Sequence, residues 1–218
     1  MRGMTMTESA ISGRRNARVT IDRTRQASGD EARRRAMHAA MTAISELGAD
    51  RIRMSDIAER AGMSTGHILY HFGHKDRLLY EVLTWSEADL RERFRTDLAL
   101  LDSPQAKLAR FVDVYLPDDR TDERWALWTQ VLSRPLSTDD DSAGLVSLTA
   151  AWEEILTLIV AEGQEAAVFV DLDAVDFAIR SRALLDGLAL DITTGSPRWN
   201  DRSINAFALA ALERELLV

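Results

Sequence analysis

The stretch MSDIAERAGMSTGHILYHF, from Met54 to Phe72, constrains this chain more than any other segment. Its apolar residues Ile57, Ala58, Met63, Ile68 and Phe72 fall at spacings that place one apolar face on each of two short helices. Between the helices, Ala61 and Gly62 allow a sharp turn, and Ser64 stands where the second helix needs a capping hydroxyl. The residues left to face outward are polar: Ser64, Thr65, His67, Tyr70 and His71, with Gly66 permitting close backbone approach. A helix presented in this way has the width of a DNA major groove. Its first residues reach base edges there while neighbouring hydroxyls and amides hold phosphates.

The flanking sequence supplies the rest of a small DNA-binding unit. Ala36, Met37, Ala40, Met41, Ile44 and Leu47 recur at three- and four-residue spacing before Gly48, which predicts a helix in front of the pair. After Gly73 a long amphipathic run carries Leu78, Leu79, Val82, Leu83, Trp85, Leu90, Phe94, Leu98 and Leu101, a fourth helix that links two halves. Helical patterns follow near 105–116, 121–133, 143–162, 172–194 and 201–217, punctuated by Pro104, Pro117, Pro135 and Pro197. The one candidate strand, AAVFV at 166–170, is bounded by Asp171 and Asp173 and reads better as a loop leading to a helix N-terminus. Ser137 to Gly144 reads as a solvated loop between helices. The expectation is an all-α chain of about nine helices: an arm at 1–29, a helix-turn-helix domain at 30–77 and a larger helical domain at 78–218.

Charge follows the same division. The net charge of −8 splits into +5 over residues 1–80 and −13 over 81–218, a basic head on an acidic body. Because screening acts within about 8 Å at physiological salt, the local sign decides what each half attracts. Cysteine is absent, so thiol catalysis, disulfides and thiolate metal sites are excluded, which fits a cytoplasmic protein. With no unbroken apolar run near ~18 residues, no membrane partner is expected.

The stretch DIAERAGMSTGHILYHFGHKDRLL resembles the signature of the TetR family of bacterial transcriptional regulators almost position by position, over about residues 31–80. That resemblance implies double-stranded operator DNA as partner, touched by Arg53, Ser55, Ser64, Thr65, Gly66, His67, Tyr70, His71 and Lys75. Arg53 stands where the family commonly has a capping Thr, and Leu69 where it often has Tyr, so Leu69 and Tyr70 compete for the DNA-facing position. More loosely, ALLDGLALDITTG at Ala183 to Gly195 and WALW at Trp125 to Trp128 are similar to BetI-like C-terminal domains. The family implies a homodimer through its last two helices. Ala183, Leu184, Gly187, Leu188 and Ile192 would give one face and Phe207, Ala208, Ala211 and Leu212 the other. It also implies a small-molecule effector and no cofactor.

Several features carry two readings. Phe111, Tyr115, Trp125, Trp128 and Trp152 line a ligand cavity or are ordinary core. His67, His71 and His74 have spacing that mimics a metal site, but no carboxylate or Cys accompanies them, so no metal is expected. Arg14, Arg15, Arg18, Arg23 and Arg25 form a soluble tail or reach into a minor groove. An enzyme is not expected, since no nucleophile with its base and no phosphate-binding glycine loop is visible. The alternative to a ligand-responsive repressor is a DNA-binding protein without ligand control. The acidic body and its tryptophans favour cationic or large apolar effectors over anions.

Overall fold

The computed structural model describes residues 29–44, 46–133, 139–199 and 203–217. The arm and its arginines lie outside the described residues up to position 28, as does Pro135. Among the described residues there are nine α-helices and no strand. Helix α1 covers 29–47 apart from the undescribed position 45. It is followed by α2 (Met54–Ala61), α3 (Thr65–Phe72), α4 (Lys75–Leu98), α5 (Pro104–Tyr115), α6 (Glu123–Leu132), α7 (Asp139–Glu165), α8 (Ala174–Thr193) and α9 (Ile204–Leu216). A short 3₁₀ turn, Pro197–Trp199, precedes α9.

Most of these helices begin on a side chain chosen to satisfy an open N–H group. Ser103 accepts from Ala106 N–H, Asp122 from Trp125, Asp173 from Val175 and Asp176, and Ser203 from Ala206. The cap by Asp173 confirms that AAVFV leads into a helix rather than forming a strand. Helix α4 ends at Leu98, short of the expected Leu101.

The expected loop from Ser137 to Gly144 is corrected by the structure: from Asp139 onward it is the first turns of α7. A run of acidic residues suits the positive end of a helix, which a loop reading of the same run overlooks. Gly144 has a packing reason, since a Cβ there would sit 1.8 Å from the Tyr80 hydroxyl of α4. By length and composition alone Ser142–Glu165 would suffice to cross a membrane, with mean hydropathy 1.5. Its Leu148, Trp152, Ile155, Leu156, Ile159 and Val160 are buried in the protein's own core.

Two apolar clusters hold the helices together, and α4 runs through both. The first joins Ala36, Ala40 and Ile44 of α1 to Ile57, Ile68, Phe72, Leu79 and Leu83, and continues into Leu127, Trp128 and Val131 of α6 and Leu145 and Leu148 of α7. The second joins Phe94 of α4 to Leu108 and Phe111 of α5, Trp152 and Leu156 of α7, Phe177 and Leu185 of α8 and Leu212 of α9. At roughly 25 cal/mol per Å² of apolar area removed from water, such burial is the main term favouring the fold.

The proposed pairing faces of the last two helices need correction. Leu188, Ala208 and Leu212 are buried within the protomer, where they close the second cluster. Ala183, Leu184 and Gly187 of the expected α8 face and Phe207 of the expected α9 face stay exposed; the other large apolar side chains exposed on α8 are Val175, Ile179 and Leu190. Small-residue spacing alone does not tell which stripe of each helix turns inward.

Candidate DNA-reading surface and ligand cavity

Helices α2 and α3 meet at a turn in which Gly62 adopts φ +64°, a conformation that side chains with a Cβ rarely accept. The Met63 amide donates to Ala58 O at 2.9 Å, closing the α2 terminus. Ser64 Oγ accepts from the His67 N–H at 3.1 Å and so starts α3. Ile68 and Phe72 then anchor α3 in the first cluster, so the opposite side faces solvent. Ser64, Thr65, Gly66, His67 and Tyr70 are exposed and His71 is half-buried.

Of the two competing residues Tyr70 is the more exposed, 84% against 42% for Leu69. Gly66 meets only Ser64 Oγ, 3.9 Å from where a Cβ would stand, so any close backbone approach there involves a partner and not the chain itself. His67 and His71 bring their Nε2 atoms to 3.1 Å. Burial, followed by the charges of His67 and Arg33, holds the His71 imidazole below its ordinary pKa. His74 plays a different part, capping α4 by accepting the Arg77 N–H at Nδ1. Arg53 is the N-cap residue of α2, its amide donating to Asp56 Oδ2 at 2.9 Å, and its side chain and Ser55 are exposed beside α3. Lys75 begins α4, and its ammonium donates to the Asp50 carbonyl at 2.8 Å, tying the α1–α2 connection to the α4 N-terminus.

A cavity of about 630 Å³ opens between α6, α7 and α8. Tyr115, Trp125, Trp128 and Trp152 line it, together with Leu132, Leu145, Val146 and Leu190. Phe111 does not. It is 1% exposed and lies behind the wall, stacked on Tyr115 at 5.7 Å between ring centres, so its placement among the lining residues is corrected. Aromatic spacing along α5 identified the layer but not its depth.

The polar groups at this wall were not anticipated from sequence. Glu87 of α4 is fully buried, and its two oxygens accept the indole N–H groups of Trp128 and Trp152, each at 2.8 Å. Its signal was a single acid on the apolar stripe of α4, four residues after Leu83 and seven before Phe94. Tyr115 donates to Asp186 Oδ1 at 2.6 Å, and burial, reinforced by that carboxylate, pushes its phenol well above the ordinary range. Arg182 is held by Glu153 at 2.6 Å and Asp186 at 2.5 Å. Arg124 reaches the same wall, donating to the Tyr115 carbonyl. Aromatic faces beside a buried carboxylate form a setting that attracts weakly hydrated cations.

Comparison with known proteins agrees with both halves of this description. Residues 36–82 match the family model described as bacterial regulatory proteins, tetR family, and residues 104–217 match the C-terminal domain of BetI-type transcriptional repressors. The HTH-type transcriptional regulator BetI of Agrobacterium fabrum is 36% identical over 98 residues, which is 44% of this chain and 48% of that protein. BetI of Burkholderia mallei is 30% identical over 103 residues, 44% of this chain and 53% of that one. The chain thus spans about half the length of the curated relatives it matches. Among solved structures, a transcriptional regulator from Saccharomonospora viridis in complex with choline superposes with TM-score 0.70 and 28% identity, covering 85% of this chain and 95% of that one. The fatty acid degradation regulator FadR of Bacillus halodurans shares the fold at TM-score 0.65 and 20% identity, over 82% and 96% of the two chains. With its helix-turn-helix and more than half of its length matched in this way, the chain belongs to the TetR family of bacterial transcriptional regulators, DNA-binding proteins rather than enzymes, and carries a BetI-type C-terminal domain.

Proposed function

We propose that this regulator is a cytoplasmic repressor that grips a near-palindromic operator as a homodimer and releases it when a cationic ligand enters the cavity between α6, α7 and α8. The observation that carries the reading is the double attachment of α4. Its first residue, Lys75, stands beside the reading helix, and its buried Glu87 is bonded to two indoles of the cavity wall. A ligand that moves either tryptophan therefore pulls on the helix that seats the DNA-reading unit. Twelve residues separate Lys75 from Glu87, about 18 Å of helix, so a tilt of about 5° at Glu87 moves the α4 N-terminus by about 1.5 Å. A displacement of that size, doubled by twofold symmetry, alters the spacing of two recognition helices that should stand about 34 Å apart. A coupling of about 1–3 kcal/mol already changes affinity about 5- to 150-fold.

Arg53, Ser55, Ser64, Thr65, Gly66, His67, Tyr70, His71 and Lys75 are the proposed DNA contacts, with base reading assigned to the outward residues of α3. The exposed Ala183, Leu184 and Gly187 of α8 with Phe207 of α9, turned away from the cavity-lining Arg182, Asp186 and Leu190, are the proposed dimer face, since a monomer gains nothing from leaving apolar surface to water. For the effector, the aromatic wall and Glu87 favour a quaternary ammonium head, in keeping with the choline held by the Saccharomonospora viridis protein. The volume of about 630 Å³ leaves room for apolar substituents.

Selecting fragments bound from random DNA gives the operator, and titrating choline and longer tetraalkylammonium salts into the purified complex tests release. A monomer in sedimentation, or a selected operator that no cation dislodges, overturns the reading.

A further inference from the structure

The aromatic wall of the cavity already contains a cation. The guanidinium carbon of Arg124 lies 5.5 Å from the ring centre of Trp125, 5.7 Å from that of Trp152 and 5.9 Å from that of Tyr115. Its Nε is 3.9 Å from Glu87 Oε1. Three ring faces and a carboxylate are the surroundings a weakly hydrated positive group selects, and here the chain's own side chain fills them.

The two arginines of the cavity are held very differently. Arg182 is clamped between Glu153 and Asp186 at 2.6 and 2.5 Å. Arg124 has one carbonyl acceptor and a carboxylate beyond hydrogen-bond reach. It also sits at the start of α6, five residues after the exposed turn that bears Asp118 and Asp119, which offers a departing guanidinium a solvated acidic landing place. We propose, resting on the cationic-effector reading above, that Arg124 is a resident occupant of the aromatic cage and that the cationic head of the effector binds by exchanging with it.

The exchange conserves charge at a point where charge cannot be left uncompensated. Glu87 is fully buried, so removing one cation from its side is tolerable only if another arrives. An anion cannot make this exchange, which gives the site its sign selectivity. Because the cage accepts ligand only while Arg124 is out, the apparent affinity of the native protein is reduced by the fraction of time the cage stands open.

The test is calorimetric titration of two probes, choline and its uncharged isostere with a tert-butyl group in place of the trimethylammonium, into the native protein, Arg124→Gln and Arg124→Met. The first variant keeps a donor for the Tyr115 carbonyl and the second keeps length without charge, so a folding defect in one leaves the other to decide. Both probes should bind both variants at least about tenfold more tightly than the native protein, since a permanently open cage removes the occupancy penalty for any ligand of that shape. Unchanged or weaker binding of choline overturns the proposal while leaving the effector reading in place. Tightening of choline alone also overturns it, because a repelling charge outside the cage acts on cations only. If choline binds none of the three proteins, the cationic-effector reading fails and the exchange fails with it.

Discussion

Replacing Glu87 by alanine should be among the most damaging single substitutions in the body of the protein, and its cost can be worked from the hydrogen bonds. The carboxylate accepts one indole N–H on each oxygen, both at 2.8 Å, and is fully buried. Alanine leaves both indoles without an acceptor in a dry wall, at about 1–3 kcal/mol each. It also removes a carboxylate that lies 3.9 Å from Arg124 and whose charge acts on Arg91, a residue whose Nη1 is buried without a hydrogen-bond partner. Breaking a buried charge arrangement from one side costs about 3–5 kcal/mol, and the two estimates agree in size. For a chain of this length each kcal/mol lowers Tm by about 2–4 °C, so Glu87→Ala should lose about 6–20 °C. Glu87→Gln keeps one acceptor oxygen and opposes the other indole with an N–H group, so its loss should be about 1–3 kcal/mol. Urea and thermal denaturation followed by circular dichroism measure both. Two variants within about 0.5 kcal/mol of the native protein, or glutamine worse than alanine, would refute the geometry on which the α4 attachment rests.

Three further outcomes are expected. Tyr70→Ala should lower affinity for the selected operator by about 1–3 kcal/mol while sparing random DNA, whereas Lys75→Ala should weaken both alike and reduce the salt slope by about 1; fluorescence anisotropy at several salt concentrations separates them. His71, with its pKa held below the ordinary 6.5, binds fewer protons folded than unfolded as pH falls through that value, so it makes stability drop on acidification. A DNA phosphate beside the same imidazole favours the protonated form, so operator affinity should rise over that pH range, and His71→Gln should flatten both trends. Gly163→Ala would put a methyl 1.9 Å from Cδ2 of the buried Phe169, and the overpacking should cost about 1–3 kcal/mol, or about 2–12 °C in Tm by calorimetry.

What could be read from sequence was what local rules determine. The α2–α3 turn, the Ser64 cap and the outward side of α3 follow from spacing, one glycine and one hydroxyl, all within a few residues. Helix existence from α4 to α9 was legible because each stripe of apolar residues is long enough to show its period. Depth was not. Phe111 and Tyr115 are one helical turn apart on α5, yet only Tyr115 reaches the cavity, because α7 closes over Phe111 through Trp152. The same limit hid which side of α8 and α9 turns inward, with Leu188 and Leu212 consumed by the protomer core. Glu87 is not legible in sequence because a single acid within an apolar stripe acquires meaning only when two indoles from other helices arrive at it. The helix from Asp139 onward is hidden for the opposite reason: an acidic run suits solvent and a helix terminus alike.

Trp128 belongs to two places at once. It lines the cavity, and it is also packed in the cluster that supports the reading helix, alongside Leu127, Val131, Leu145 and Leu148. The protein therefore lacks the insulating joint that would let a headpiece be transplanted. A chimera that grafts a foreign helix-turn-helix onto this body inherits a counter-surface cut for Leu78, Leu79 and Val82, and should respond to effector only when those side chains are carried across with it.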